Sequence, residues 1–305
     1  MRVLIVGASG FIGNYLRRSL LQRSDHEVSN TYNVRAPQDI DGSWHRLEIT
    51  DRARMSQVFQ ETQPQVVVLL AAIADVNTAE TDPSRATAVN VDAAAHVARL
   101  CTHHHARLIF LSSEYVFGGD TGNYREKDHP GPNTHYGWTK WQAELAVGHE
   151  ASECSIVRTS LVYGWPLIGR QNMVTMIVDR LKNDGAYTGD VNTYRTPIYV
   201  EHLTESIVQM VDNYYPGIWH IAGNDWINMY EFACAVAEAF NMDASKVKSS
   251  QVSPSVRPTI DPLEELEWSP RPDILGLDCT QTSYRLGLRP SGVVSGLQEM
   301  LAREI

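Results

Sequence analysis

The chain has 305 residues, 43% of them hydrophobic, and a formal net charge of −10. That is apolar material for one large domain or two coupled ones, while the acidity argues against a broad electrostatic footprint for nucleic acid or anionic membrane. An anionic small ligand would therefore need a local cluster of Arg, Lys or backbone N–H groups. No run reaches about 18 uninterrupted apolar residues, so no segment reads as membrane-spanning, and the glycine-cut apolar start lacks the pattern of a signal peptide. Cys101, Cys154, Cys234 and Cys279 are widely spaced with no C-x-x-C, which points to reduced thiols in a cytoplasm rather than to zinc or a disulfide framework.

Taken in chain order, "RVLIV" (2–6) is a short β-branched run closed by glycine, and residues 11–23 carry apolar side chains at helical spacing. Residues 27–32 read as a second strand, and "RLEITD" (46–51) closes a third. Residues 65–72 ("QVVVLLAA"), 106–113 ("ARLIFLSS") and 153–160 ("ECSIVRTS") are continuous apolar runs separated by helical stretches. Strands buried on both faces and alternating with helices predict an α/β fold, a doubly wound parallel sheet of the Rossmann kind with ligands at the carboxyl ends of its strands. Beyond Gly164 the rhythm breaks. Residues 173–182 and 229–240 look helical, "TPIYVEHL" looks like a strand feeding a helix, and "IWHIAG" returns to strand. The expected division is a dinucleotide-binding domain over 1–164, rejoined by 196–222, and a smaller C-terminal substrate-binding lobe from 165–195 and 223–305. The proline-rich stretch 253–272 reads as an ordered loop over a cleft.

"GASGFIG" sets Gly7, Gly10 and Gly13 between the first strand and the first helix. Glycine allows the tight turn and the close approach of a pyrophosphate, whose charge helix N-terminal N–H groups then meet. The candidate cofactor set is Gly7, Ser9, Gly10, Phe11, Ile12 and Gly13, with Ala71 and Ala72 at the end of the 65–72 run. An acid ending the second strand would select NAD, whereas an arginine there would accept the 2′-phosphate of NADP. The strand is followed by "NVRAP", with Arg35 and no acid, which favours NADPH over NADH; the competing reading is a solvated loop arginine. Glu48 and Ile49 are placed to border the adenine, and Asp51 to cap the following helix.

Tyr136 and Lys140, four residues apart, share one face of a helix. A phenol of pKa near 10 is a poor donor to leave as an anion at neutral pH, and a nearby ammonium makes it a usable one. Ser113, ending a sheet strand, could hydrogen-bond the same carbonyl oxygen. Each is unremarkable alone, and together behind a glycine loop they are specific.

The glycine loop, "SSEYVFGG" and "YREKDHPGPNTHYGWTK" resemble the extended short-chain dehydrogenase/reductases, and more narrowly the dTDP-4-dehydrorhamnose reductase branch, whose pattern is S-T-D-Y-V-F-D-G followed by Y-x-E-x-D-x-P-x-P-x-x-x-Y-G-x-x-K. The likeness extends through "VRTSLVYG", "RTPIYVEHL" and "RPDILGLDCTQTSYRLGLRP". It implies Tyr136 as general acid, Lys140 as the group that lowers its pKa and holds the nicotinamide ribose, and Ser113 as the family's Ser/Thr. The implied reaction is NADPH-dependent reduction of the 4-keto group of a nucleotide-linked deoxysugar, most simply dTDP-4-dehydrorhamnose to dTDP-L-rhamnose. Glu114, Asn172, Arg195 and Arg257 are the implied substrate-binding residues, and a homodimer is compatible with the family. Departures bear on the sugar: Ser113 replaces Thr, Glu114 replaces Asp, Leu161 stands where a Trp is frequent, and Asn77 where an Asp is usual. "GIWHIAGNDWINMYEFACAVAEAFNM" and "LDCTQT" are also similar to the regulatory β-subunit of methionine adenosyltransferase, which implies a cofactor-binding regulatory subunit as the alternative.

His103, His104 and His105 suggest metal, but successive helical residues diverge, and a solvated helix end is the expected reading. Glu126 and Asp128 are expected to order the loop before Tyr136. Trp165, Trp219 and Trp226 are expected to pack in the core or lobe.

Overall fold

A computed structural model describes residues 1–23, 25–34, 36–37, 43–167, 171–183, 185–251, 271–287 and 290–303. Its strands are β1 (Arg2–Val6), β2 (Glu27–Tyr32), β3 (Trp44–Arg46), β4 (Val66–Leu69), β5 (Arg107–Ser113), β6 (Cys154–Thr159), β7 (Val162–Tyr163), β8 (Tyr187–Asp190), β9 (Tyr194–Arg195), β10 (Ile198–Tyr199), β11 (Gly217–Ile221), β12 (Ile227–Asn228) and β13 (Val247–Ser250). Seven form one sheet in the order β11-β6-β5-β4-β1-β2-β3, and every pairing in it is parallel.

Alternation along the strands makes the two cores. Leu4 and Val6 with Val67, Leu69, Leu108 and Phe110 face one side, where Val58, Phe59, Val97 and Val147 from three helices cover them. Val3 and Ile5 with Val66, Val68 and Ile109 face the other, under Leu16 and Leu20 of helix Phe11–Leu21 and Leu203 and Ile207 of helix Val200–Asp212. Because successive side chains point to opposite faces, a strand covered on both must be apolar throughout, which is why "RVLIV" and "VVVL" show no polar alternation. Each such buried aliphatic side chain contributes roughly 1.5–3 kcal/mol.

The chain runs from β1 outward to β3 and then crosses to β4 on the other side of β1. That reversal opens a crevice at the carboxyl ends of β1 and β4, where open α/β sheets bind ligands. A third core joins Tyr163, Val174, Ile177, Phe232, Val236, Leu297 and Met300, beneath the short pairs β8–β13 and β9–β12. The third strand ends at Arg46, so Glu48 and Ile49 lie beyond it rather than at its last residues. The proline-rich stretch is outside the described residues up to its last two positions. No helix among the described residues is long and apolar enough to cross a membrane.

Candidate active site

Gly7 adopts a positive φ of 97°, and a Cβ there would stand 2.7 Å from the Ala71 nitrogen. At Gly13 a Cβ would meet the Gly7 carbonyl oxygen at 2.4 Å. Gly10 N donates to Gly7 O at 3.1 Å, and Gly7 N to Thr31 Oγ1 at 2.9 Å. Gly10 then starts the helix with no side-chain cap, and its first turn holds no acid. The loop thus brings uncapped helix N–H groups to a turn that side chains would fill, which fits a pyrophosphate.

At the carboxyl ends of β1, β4, β5 and β6 lies a cleft of about 760 Å³, lined among others by Ile12, Ala72, Ser113, Tyr136, Lys140 and Leu161. Helix His135–Glu150 delivers the last two catalytic candidates. Thr134 caps it through Gly137 N at 3.0 Å, and Glu80 Oε1 accepts His135 N at 2.6 Å. Gly137 lets the helix approach: a Cβ there would lie 2.0 Å from the Tyr115 carbonyl oxygen. Tyr136 is consequently buried, 8% exposed. Burial pushes its phenol up to about 12, opposed by a hydrogen bond with Ser113 and reinforced by Tyr115 and Glu114. Lys140 Nζ donates to Leu111 O at 2.7 Å and sits 4.4 Å from the centre of the Phe110 ring. Burial pulls its ammonium down to about 8 against the opposing Glu144 carboxylate. Ser113, Tyr136 and Lys140 thus line one cleft, with Lys140 one helical turn beyond Tyr136 and bonded to the strand.

Next to Ser113, Glu114 is buried and its carboxyl raised to about 7 by that burial, with Arg195, Ser160 and the Gly276 N–H pulling it back. Gly276 N donates to its Oε2 at 3.0 Å, and Arg195 Nε lies 3.4 Å from its Oε1. Arg195 lines the cleft, but its Nη1 donates to Tyr194 O and Asp273 O at 2.7 and 2.9 Å, and its Nη2 to Pro272 O at 2.8 Å. It fastens the segment after residue 271 to the wall. Asn172 caps helix Met173–Asn183, accepting from Val174 N at 3.1 Å and donating to Gly164 O at 2.6 Å. Glu48 is exposed and accepts from Asn33 Nδ2 at 2.5 Å, whereas Ile49 joins the core beside Leu4 and Val6. Arg35 and Arg257 lie outside the described residues.

Asp51 caps its helix through Arg54 N at 2.9 Å, as its position predicted. His103 ends helix Ala93–His103, with His104 against Phe59. Asp128 closes its loop on Arg125 N, and Glu126 takes the Thr282 hydroxyl. Trp165 Nε1 donates to Met300 O and Trp219 Nε1 to Tyr215 O; Trp226, more exposed, lies tilted against the Tyr194 ring.

Two site residues escaped the sequence. Asn90 sits in a π-turn (Ala88–Asp92), where its Oδ1 accepts Ile73 N at 2.8 Å and its Nδ2 reaches Thr139 Oγ1 at 3.0 Å, tying the cleft wall to the catalytic helix. A lone polar residue in the apolar "AVNV" was the available signal. Arg271 lines the cleft and donates to Asn77 Oδ1, 194 residues away in sequence, at 3.0 Å.

Residues 1–304 match the RmlD substrate binding domain. The chain belongs to that family. Among relatives, the methionine adenosyltransferase 2 subunit beta of Bos taurus is 30% identical over 296 residues, 95% of this chain and 86% of the relative. The probable low-salt glycan biosynthesis reductase Agl14 of Haloferax volcanii is 29% identical over 268 residues, 86% of this chain and 88% of the relative. The crystal structure of a hypothetical dTDP-4-dehydrorhamnose reductase from Sulfolobus tokodaii superposes with a TM-score of 0.83 at 27% identity, covering 97% of this chain and 99% of the other. The RmlD-family match spans both the sheet and the C-terminal elements, and so includes the residues that line the cleft.

Proposed function

We propose that this chain is a nicotinamide-dependent oxidoreductase that reduces the 4-keto group of a nucleotide-linked deoxysugar, with NADPH preferred to NADH and dTDP-4-dehydrorhamnose the simplest substrate. The observation that carries the proposal is that Ser113, Tyr136 and Lys140 line one cleft at the strand ends. The glycine turn with Ala71 and Ala72 would hold the dinucleotide, which when bound supplies a hydride equivalent. Tyr136 keeps its proton through neutral pH and gives it to the developing alkoxide, with Ser113 hydrogen-bonding the same oxygen. Donation leaves a phenolate, met by the Ser113 hydroxyl and by the Lys140 ammonium one turn along. Preference for NADPH is supported by β2 being followed by Asn33 and Val34 with no acid. On the substrate side Glu114 and Arg195 form the wall, and Leu161 leaves the room that a tryptophan would occupy. The thiols, none paired, suit a cytoplasm.

A second reading is favoured by the likeness to methionine adenosyltransferase 2 subunit beta: a dinucleotide-binding regulatory subunit. NADPH oxidation against a panel of 4-keto nucleotide sugars decides between them. Turnover of one of these sugars supports the reductase; NADPH binding without any turnover, joined to binding of a partner enzyme, supports the regulatory subunit.

A further inference from the structure

Helix His135–Glu150 carries Tyr136, Lys140 and Glu144 at four-residue spacing, on one face, and Glu144 has no part in the chemistry above. Its side chain is buried, 4% exposed. Glu144 Oε1 accepts Arg158 Nε at 2.9 Å and Ser112 Oγ at 2.5 Å, and its Oε2 accepts Arg158 Nη2 at 2.7 Å. Both partners lie on strands that run to the cleft. Ser112 immediately precedes Ser113 on β5, and Arg158 is paired with Ser112 in register on β6.

The titratable groups around this cluster lie on three elements, β6, β11 and the catalytic helix. Arg158 lies 5.0 Å from the centre of the Phe117 ring and points Nη1 at Glu126 O. On β11, His220 is in register with Arg158 and stays neutral, its imidazole held down to about 3 first by burial and then by that guanidinium. Lys140 meets the Leu111 carbonyl and the Phe110 ring from β5, and feels the Glu144 carboxylate from its own helix. An ammonium taken out of water loses its hydration. The Glu144 carboxylate is the charge that restores part of that loss at Lys140.

We propose that Glu144 is a positioning residue of the active site: fastened by Arg158 and Ser112, its carboxylate keeps Lys140 charged and locks the catalytic helix to the strand end that carries Ser113. The inference rests on the role given to Lys140 above, but its test reads the lysine and not turnover. The chain has five lysines, and Lys127, Lys182, Lys246 and Lys248 are exposed, so Lys140 alone titrates from a buried position. In the full chain labelled with [¹³C]lysine, NMR follows each Cε resonance with pH. Glu144→Gln keeps the side-chain length and an acceptor for Ser112 while removing the charge. The expected result is a Lys140 midpoint lower by at least about one pH unit, roughly a tenfold change in the ammonium equilibrium. A folded variant whose Lys140 midpoint stays within about 0.3 unit of the parent, under twofold in that equilibrium, overturns the proposal. An unpaired Arg158 can prevent folding; Glu144→Met combined with Arg158→Met is then read against Arg158→Met alone, so that only the carboxylate differs and the same two thresholds apply to that difference. Absence of ketosugar reduction by the parent would sink the reductase assignment and leave the lysine shift standing, so the two failures are distinct.

Discussion

At the scale of single residues, the site separates groups that react from groups that hold. Tyr136→Phe removes the phenolic proton and little else, so turnover is expected to fall by roughly 10²–10⁴-fold with the NADPH Kd nearly unchanged. Turnover within threefold of the parent would assign the proton to another donor. Arg195 belongs to the second class. Its guanidinium is shared among Glu114 and three main-chain carbonyls, so Arg195→Ala leaves a buried carboxyl and several acceptors without their donor. Denaturant unfolding should register a loss of about 3–5 kcal/mol. A residue serving only as a phosphate contact would behave differently, raising the KM for the nucleotide sugar about tenfold, or 1.4 kcal/mol, at unchanged stability.

Among the elements, the catalytic helix is placed by contacts at its first turn. Thr134 and Glu80 satisfy two of its leading N–H groups, and Gly137 allows its backbone to touch Tyr115. In an open helix Gly→Ala is stabilising by about 0.5–1 kcal/mol. Here the added methyl would stand 2.0 Å from the Tyr115 carbonyl oxygen, main chain that cannot rotate away. Gly137→Ala should therefore destabilise by about 1–3 kcal/mol and reduce turnover at least about tenfold, as the loss of about 1.4 kcal/mol of oriented hydrogen bonding implies. Thermal melts and initial rates on the same preparation check it; a variant more stable than the parent would show that the helix does not depend on this approach.

For the whole molecule, buried titratable groups set the pH response. His220 is fully buried, with Nδ1 on the Tyr124 carbonyl at 3.0 Å, and burial, then Arg158, depress its imidazole to about 3. The unfolded chain binds a proton there near pH 6.5 and the folded chain does not. Stability from this group is thus present above about pH 6.5 and lost as pH falls toward 3. Glu114 acts in the opposite sense: its carboxyl, raised to about 7 by burial, contributes stability below the ordinary carboxylate range that is lost as pH rises through 7. Comparison with a variant isolates the first effect. His220→Asn can still donate to Tyr124 O, and between pH 7 and pH 5 it should lose about 2 kcal/mol less stability than the parent. Equal losses by urea unfolding at both pH values would show that His220 is protonated in the fold.

Sequence order alone determined the architecture. Uninterrupted apolar runs of strand length require cover on both faces, and alternation with helices forces the crossovers that make the sheet parallel. β2 begins and ends where its pattern predicted, at Glu27 and Tyr32. The glycine turn and the Tyr136–Lys140 spacing were legible for the same reason, being local geometry written within a few residues. What the tertiary structure decided is which polar groups are spent. Asn172 caps a helix, and Arg195, which also lines the cleft, holds main chain that lies 77 and 78 residues further along. Asn90, Arg271 and Glu144 gained their places from partners 17 residues to nearly 200 residues away or on neighbouring strands. Hydrogen-bonding capacity is finite and short-ranged, so what a polar side chain can offer a ligand depends on neighbours that folding brings near, and those neighbours have no fixed distance in sequence.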